Sequence, residues 1–388
     1  MKLFVSTADA SGDLHASALV EALRKRCPEL EVFGLGGERL RSAGLEALVD
    51  RDALAIGGLV EVASSLPRAL AAYSTLRAAL AARRPDRVLL VDSPDLNLPL
   101  AAVARRRGLR VLYYIAPQLW AWRQGRARKL RRRVDQLGVI FPFEEAWFRS
   151  RGIATTFLGH PLVDRIVTFR EHFDRARTAG ALGIDPSHPL LALLPGSRRN
   201  ELRSNLAIML EAARRVRVAH PELQVALALA SGLALEQGAT PDWLKVVRGG
   251  AEELIALATC ALSAAGTATL EAALLGIPTL ILHRTHPLSF AFAQRVVRVP
   301  SASMLNLIAG AGIVPERVQS LARPAAAAAL LAGWIRRPEA REAHRQEVAL
   351  AARKLGPPGA VERAAEWVLA SGREGRPDRA RSVPRAGP

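Results

Sequence analysis

The sequence contains few cysteines and no long apolar run. Its 388 residues include two cysteines, Cys27 and Cys260, which stand far apart and outside any Cys-x-x-Cys or Cys/His cluster. This spacing excludes a disulfide framework and a zinc motif, and it favours a reducing compartment. No run of about 18 apolar residues is present, so we predict no membrane-spanning helix. The N-terminus turns polar too early for a signal peptide, and we therefore expect a cytoplasmic protein.

Acidic residues are also scarce relative to basic ones. The chain has 54 Lys and Arg residues against 36 Asp and Glu residues, which leaves a net charge of +18. This charge favours anionic partners, whether nucleic acid, acidic lipid or phosphorylated small molecules, and does not choose among them. Half of the residues are hydrophobic and 23% are charged, which is typical of a globular enzyme. The length favours two domains.

Short apolar runs alternate with helical patterns along the whole chain, which predicts an α/β fold. In the helical segment Arg68–Arg83, for example, Leu70, Tyr73, Leu76 and Leu80 recur at helical spacing. Such alternation indicates parallel βαβ units in doubly wound sheets. The runs that we predict to be strands are Lys2–Ser6, Val32–Leu35, Arg87–Val91, Val111–Ile115, Leu137–Phe141, Leu190–Leu194, Gln224–Leu229, Trp243–Val247, Cys260–Ala264 and Thr279–His283.

The strand series restarts after a polar stretch near residues 170–188, where we predict a hinge. Residues 1–170 then form an N-terminal Rossmann-like domain and residues 171–345 a second one. Residues 346–371 are predicted to be a C-terminal helical segment. The Arg-, Pro- and Gly-rich residues 372–388 are predicted to be a disordered tail.

In doubly wound sheets, ligands bind where strands end and helices begin. Asp9 and Ser11 follow the first predicted strand, and their side chains can bind a sugar or cap the next helix. Asp92 and Asp95 follow the strand Arg87–Val91, with Pro94 fixing the turn between them. A carboxylate in such a position can accept a proton from a hydroxyl, although helix capping is an equal alternative from the sequence alone.

Two loops of the second half have the pattern of anion-binding sites. Arg198 follows a strand and a Gly-Ser turn at a helix start, where backbone N–H groups and the guanidinium can face a phosphate. A second strand ends before a Gly-Thr turn and a helix. An ordinary capped core helix is the alternative for this second pattern. Its candidate donor-binding residues are Gly266, Thr267, Thr269 and Glu271.

The segment Trp120–Arg133 combines two tryptophans with a run of cations. It can bind nucleic acid, anchor the protein to acidic headgroups, or form a solvated helix face. His160 is expected to pack at the hinge and His15 to lie on a helix face, rather than to catalyse.

Taken together, these segments resemble lipid-A-disaccharide synthase, a family of GT-B glycosyltransferases. The resemblance covers nearly all of residues 1–335, with Ala116–Gln124 and Asn306–Gly310 as the parts least shared with other GT-B enzymes. Its other segments are Asp9–Asp13, Gly34–Gly37, Ile56–Val62, Asp92–Asn97, Phe141–Phe148, Gly159–Asp164, Pro195–Leu202 and Ala264–Pro278.

The resemblance implies two Rossmann-like domains facing across a cleft and closed by C-terminal helices. It implies an inverting transfer, without metal or other cofactor, of 2,3-diacylglucosamine from UDP onto 2,3-diacylglucosamine 1-phosphate. The products are the β-1,6 disaccharide and UDP. The alternative is another GT-B enzyme that uses a UDP-amino sugar, either a transferase with a lipid-linked acceptor or an enzyme similar to UDP-N-acetylglucosamine 2-epimerase.

The resemblance also assigns roles to residues. Asp95 matches the proposed general base, and Asp9 and Ser11 match the acceptor-side loop, although Asp9 stands where the family usually has Glu. Leu305 similarly replaces the usual Pro. The residues that match donor-side positions, or lie in the segment that follows them, are Arg198, Glu271, Asn306, Glu316 and Gln319.

The implied partners are a UDP-activated acylated amino sugar, a lipid sugar-phosphate acceptor and an anionic membrane surface, with no nucleic acid. The resemblance implies that the protein lies at the cytoplasmic face of the inner membrane. It would be held there peripherally by an apolar patch within Ile56–Leu70, with Arg68 and Arg77 beside it. A homo-oligomer is compatible with the resemblance. The apolar side chains Leu59, Val60 and Val62 favour the transferase over the epimerase.

Overall fold

The computed structural model describes residues 1–51, 61–235 and 240–371, without the side chains of residues 61–66, 288 and 289. The predicted tail 372–388 lies outside the described residues. So do the side chains of the predicted membrane patch, namely Leu59, Val60, Val62 and Leu66. Within the described ranges, no helix is both long and apolar enough to cross a bilayer.

The chain forms two compact units, and the first comprises Met1–Pro161 together with the chain from Gly359 onward. Strands and helices alternate through its N-terminal part. They are β1 (Lys2–Ser6), α1 (Ala10–Arg26), β2 (Glu31–Gly36), α2 (Glu38–Ser42), β3 (Leu45–Asp50), α3 (Glu61–Arg83), β4 (Arg87–Val91), α4 (Pro94–Arg106), β5 (Arg110–Tyr114), α5 (Ala127–Arg133), β6 (Gln136–Val139), α6 (Pro142–Arg149) and β7 (Thr155–Phe157).

The seven strands form one parallel sheet in the order β3-β2-β1-β4-β5-β6-β7. In the centre of the sheet, Leu3 of β1 pairs with Val32 on one side and Arg87 on the other. The apolar residues Leu3, Phe4 and Val5 are all buried, so both faces of β1 are covered. This explains why the strand is a continuous apolar run rather than an alternating one.

The second unit comprises Leu162–Pro358. Its elements are α7 (Pro161–His172), α8 (Arg175–Leu182), β8 (Leu190–Leu194), α9 (Arg199–Ala219), β9 (Gln224–Leu229), β10 (Leu244–Arg248), α10 (Ala251–Leu257), β11 (Cys260–Ser263), α11 (Thr267–Leu275), β12 (Thr279–His283), α12 (Pro287–Val296), α13 (Met304–Ala309), β13 (Glu316–Val318), α14 (Pro324–Arg336) and α15 (Pro338–Ala352). The strands form a parallel sheet in the order β10-β9-β8-β11-β12-β13.

Strand β8 shows how this sheet divides the core into two layers. Leu191 and Leu193 pack in the cluster that includes residues of α9 and α14. Leu190, Ala192 and Leu194 pack in the cluster that includes residues of α8, α10 and α11. Successive side chains of a strand point to opposite faces, so an all-apolar strand serves both layers.

The last described helix, α16 (Ala360–Ala370), belongs to the first unit. Arg363 of this helix donates a hydrogen bond of 2.9 Å to the carbonyl of Leu158, and Arg87 donates one of 3.0 Å to the carbonyl of Leu369. The predicted helical segment 346–371 is therefore divided between α15 and α16. The predicted domain boundary at residue 170 falls within α7.

Candidate active site

The strand order of each sheet indicates where a ligand can bind. In the first sheet β1 and β4 are neighbours, and in the second sheet β8 and β11 are neighbours. After the first strand of each pair the chain continues into one half of the sheet, and after the second strand it continues into the other half. This divergence opens a crevice beyond the carboxyl ends of the two strands. The predicted residues follow these four strands: Asp9 and Ser11 after β1, Asp95 after β4, Arg198 after β8, and Gly266, Thr267, Thr269 and Glu271 after β11.

The turn after β4 has an unusual backbone that is held from several sides. Asp92 and Ser93 both have positive φ, 44° and 45°, which non-glycine residues adopt at a cost. The buried Asn97 amide donates hydrogen bonds to the carbonyls of Ser6, Val91 and Asp92 at 2.9–3.1 Å. Because these bonds join β1 to the turn, the strained conformation is fixed by its surroundings.

Ser93 connects this turn to the loop after β1. Its hydroxyl donates a hydrogen bond to the Asp9 carboxylate and accepts one of 3.1 Å from the Ala8 backbone N–H. Asp92 is near the same carboxylate. Burial raises the pKa of the Asp92 carboxyl to about 6, and the negative charge of Asp9 adds to this shift. Two carboxyl groups therefore share the crevice of the first sheet.

Asp95 lies in the first turn of α4, and its side chain is 75% exposed. Its carboxylate forms an ion pair with Arg126 at 2.7 Å and has Arg123 at 3.7 Å. Arg123 in turn stacks on the Trp122 ring, with its guanidinium carbon 4.3 Å from the centroid. The carboxylate of Asp95, the predicted base, is thus open to solvent and is oriented by arginines of the segment Trp120–Arg133.

The rest of the first loop lies in α1. Ser11 is exposed in the first turn, whereas Asp13 is buried and accepts hydrogen bonds from the N–H groups of Gly37 at 2.6 Å and Arg39 at 3.2 Å. Asp13 therefore caps the start of α2. Gly12 lies in α1, and a Cβ at this position would collide with the Thr7 side chain.

A buried acid near this crevice, Glu144, is not among the residues that the sequence patterns indicate as functional. Glu144, in the first turn of α6, accepts hydrogen bonds from the Trp120 indole N–H at 2.9 Å and the Phe141 N–H at 3.1 Å. Burial raises the pKa of the Glu144 carboxyl to about 7, although these donors oppose the shift. In the sequence, Glu144 stands three residues after Phe141, at the start of a helix that begins with proline. This pattern indicates helix capping only.

The two histidines are packed among aromatic rings. The ring of the buried His160 lies 6.2 Å from that of His15 and 5.3 Å from that of Phe141, centroid to centroid. The packing role of His160 and the helix-face role of His15 stay predictions.

In the second unit, the loop after β8 carries the exposed Arg198. Its guanidinium pairs with Glu201 at 2.9 Å, and the other Glu201 oxygen accepts the backbone N–H groups of Ser197 and Arg198. Gly196 has a φ of 114°, and a Cβ there would collide with Glu201. The loop is thereby shaped around one carboxylate, with 80% of the Arg198 side chain left exposed.

The loop after β11 leads into the N-terminus of α11. Thr267 and Gly266 are exposed at this end. Thr269 is buried, and its hydroxyl donates a 2.7 Å hydrogen bond back to the Gly266 carbonyl. The residue at the N-cap position, Gly266, has no side chain that could cap the helix. Its first N–H groups and its positive dipole end can therefore bind an anion.

Glu271 lies one turn further along α11 and belongs to a charged network. Arg165 of α7 forms ion pairs with both Glu271 and Glu252. Burial is the main cause that raises the pKa of Glu252. One guanidinium thus holds two carboxylates that would otherwise repel each other.

The remaining candidates bind the backbone of neighbouring loops. Asn306 is buried, and its amide pairs with both backbone groups of Val314 and donates to Glu316 at 2.7 Å. Glu316 also accepts the N–H groups of Ala302 and Ser303. The Gln319 amide pairs with both backbone groups of Thr285 at 3.0–3.1 Å. These three side chains order the loops around β12 and β13.

Known structures share this fold. UDP-N-acetylglucosamine 2-epimerase from Neisseria meningitidis, solved bound to UDP-N-acetylglucosamine, aligns with a TM-score of 0.68 at 14% identity, over 95% of this chain and 100% of that one. The calicheamicin glycosyltransferase CalG4 aligns with a TM-score of 0.61 at 15% identity, over 95% and 97%. At such identities the likeness concerns the fold, and the predicted pair of Rossmann-like domains is confirmed.

Sequence comparison goes further. A family model described as Lipid-A-disaccharide synthetase matches residues 3–355. Lipid-A-disaccharide synthase of Geobacter sulfurreducens is 37% identical over 373 residues, which cover 95% of this chain and 96% of that protein. The enzyme of Anaeromyxobacter sp. strain K is 39% identical over 376 residues, covering 95% and 97%. The chain belongs to the Lipid-A-disaccharide synthetase family.

Proposed function

We propose that this glycosyltransferase moves 2,3-diacylglucosamine from UDP onto the 6-hydroxyl of 2,3-diacylglucosamine 1-phosphate. The hydroxyl oxygen forms a bond to the anomeric carbon as the bond from that carbon to the UDP oxygen breaks. The hydroxyl proton passes to a carboxylate, and UDP leaves with the bonding electron pair. The products are the β-1,6 disaccharide and UDP, with inversion at the anomeric carbon.

The observation that carries this proposal is the carboxylate-rich crevice after β1 and β4, in a chain of this family. Asp9, Asp92 and Asp95 all follow these two strands, and acid-base catalysis needs a carboxylate beside the attacking hydroxyl. We assign the general base to Asp95. Asp92 is the second candidate, because its raised pKa of about 6 would make it a stronger base near neutral pH.

The crevice after β8 and β11 supports donor binding in the second unit. The uncapped start of α11 and the exposed Arg198 offer N–H groups and a positive charge to the diphosphate. The same groups stabilise the charge that develops on departing UDP, so no metal ion is needed for that purpose in this proposal. Removal of one such donor typically slows an enzyme by about 10²–10³.

Mass spectrometry of the products tests the reaction directly. The purified protein should convert UDP-2,3-diacylglucosamine and the 1-phosphate acceptor into equal amounts of disaccharide and UDP, and it should do so in the presence of EDTA. An epimerised UDP-sugar without disaccharide would instead support the epimerase alternative. Because both substrates are lipids, we also propose a peripheral location at the cytoplasmic face of the inner membrane.

A further inference from the structure

A long part of the second unit contains no acidic residue. No Asp or Glu occurs from residue 272 to residue 315, whereas Arg284, Arg295 and Arg298 all do. Helix α12 lies in the middle of this stretch. A stretch that carries charge of only one sign produces a local positive field and favours an anionic partner.

Large apolar side chains are exposed beside these cations. Phe292 is 58% exposed, and Arg295, three residues later on α12, is also exposed on the same side of the helix. Val297 is 41% exposed just beyond the end of α12, and Arg298 next to it is exposed too. We call Phe292, Arg295, Val297 and Arg298 the α12 surface.

Two other exposed apolar residues of this unit lie on helices that also carry acidic residues. Val218 is 74% exposed on α9, and Leu350 is 62% exposed on α15. Both helices carry carboxylates, among them Glu211 and Glu342, which pair with neighbouring arginines. The α12 surface differs from these sites because its apolar side chains are combined with cations alone.

The α12 surface follows directly from the carboxyl end of β12, which pairs with β11. The connecting residues are fixed: the Arg284 N–H donates a 2.7 Å hydrogen bond to Asn205, and Thr285 pairs with Gln319. Parallel strands end at the same edge of a sheet, so α12 starts at the edge where the loop after β11 offers its anion-binding helix start.

We propose that the α12 surface contacts an anionic lipid bilayer. This inference rests on the proposed function, in which the donor as well as the acceptor carries acyl chains. The unit that binds the donor then needs its own contact with the bilayer from which the donor is taken. Phe292 and Val297 would enter the headgroup–acyl boundary, and Arg295 and Arg298 would bind lipid phosphates.

Vesicle flotation of the full chain measures this contact. On phosphatidylglycerol–phosphatidylethanolamine vesicles at low salt, the double variant Phe292→Ser/Val297→Ser should bind at least about tenfold more weakly than wild type. Arg295→Gln/Arg298→Gln should also bind about tenfold more weakly, and the difference should shrink as salt is added. Val218→Ser and Leu350→Ser serve as matched controls and should bind like wild type.

Two further measurements separate the outcomes. All variants should keep wild-type UDP affinity and wild-type transfer between short-chain, water-dispersed substrates, so a lost contact is not mistaken for misfolding. Absence of transfer by the wild-type chain would reject the proposed function, whatever the vesicles show. Wild-type vesicle binding by the Ser variant would overturn the α12 contact. So would a variant that changes only self-association in sedimentation, because a second copy of the chain would then be the partner.

Discussion

The Ser93 hydroxyl donates a hydrogen bond to the Asp9 carboxylate, which joins the turn after β4 to the loop after β1. Ser93 keeps this contact while its backbone has a φ of 45°, a conformation that glycine adopts without cost. A strained residue that also holds a carboxylate points to a role in positioning that carboxylate.

We therefore expect Ser93→Gly to separate activity from stability. The variant relieves backbone strain but loses the hydrogen bond, two effects of about 1 kcal/mol each and of opposite sign. Its free energy of unfolding in urea should stay within about 1 kcal/mol of wild type. Its turnover should fall at least about tenfold, because Asp9 loses its orienting donor. Equal losses of stability and activity would mean that Ser93 acts only through the fold.

Asp95→Asn tests the assignment of the general base. Turnover should fall by about 10²–10⁴ while UDP affinity, measured by calorimetry, changes little. Asp50→Asn is the matched control, because Asp50 is another carboxylate of this unit that is paired with an arginine, Arg41. If Asp95→Asn kept wild-type turnover and Asp92→Asn did not, the role of base would pass to Asp92.

The strands were predictable because they are apolar runs bounded by polar residues. Three of the four strands that border the two crevices, Lys2–Ser6, Arg87–Val91 and Leu190–Leu194, have the predicted bounds, and the fourth, β11, ends at Ser263, one residue before its predicted end. The turns after them were predictable as ligand sites from the parallel topology alone.

Side-chain partners in the site were not predictable in this way. The pairing of Asn306 with Glu316 and the contact of Arg165 with Glu271 join residues from separate elements, and no local pattern encodes them. Glu144 was missed for a related reason. A Glu at a helix start has the pattern of an exposed cap, whereas Glu144 is buried and accepts a hydrogen bond from Trp120, a residue of a separate segment.

Glu144 should make stability depend on pH. Its pKa is raised from 4.5 to about 7 in the folded state, so the folded chain binds this proton more tightly than the unfolded chain does. The contribution is therefore complete at pH values below about 4.5. It is lost as pH rises toward about 7, with a slope of up to about 1.4 kcal/mol per pH unit.

Urea unfolding across this pH range should show the loss in wild type and a flatter profile in Glu144→Gln. Glu145→Gln, on the same helix, leaves Glu144 in place and should keep the wild-type slope. Parallel profiles for wild type and Glu144→Gln would mean that the buried carboxyl does not titrate in this range.

The last prediction concerns Arg165, which holds Glu271 and Glu252. If Glu271 binds the ribose hydroxyls of UDP, Arg165 is its positioning residue. Arg165→Gln should then weaken UDP binding by about tenfold, because the freed carboxylate must be ordered again when the ligand binds. The variant should also lose part of the preference for UDP over 2′-deoxy-UDP or 3′-deoxy-UDP. A purely structural ion pair would not affect this ratio.

Arg170→Gln is the matched control for this prediction. Arg170 lies on the same helix α7 and donates a 2.6 Å hydrogen bond to Leu274, at the opposite end of α11 from the anion-binding start. Its variant loses one exposed hydrogen bond, so it should destabilise the chain less than Arg165→Gln does, and it should retain the wild-type preference for the ribose. Calorimetric titration of both variants with the three nucleotides decides the matter. If Arg165→Gln and wild type showed the same preference for UDP over the two deoxy nucleotides, Arg165 would have no role in donor binding.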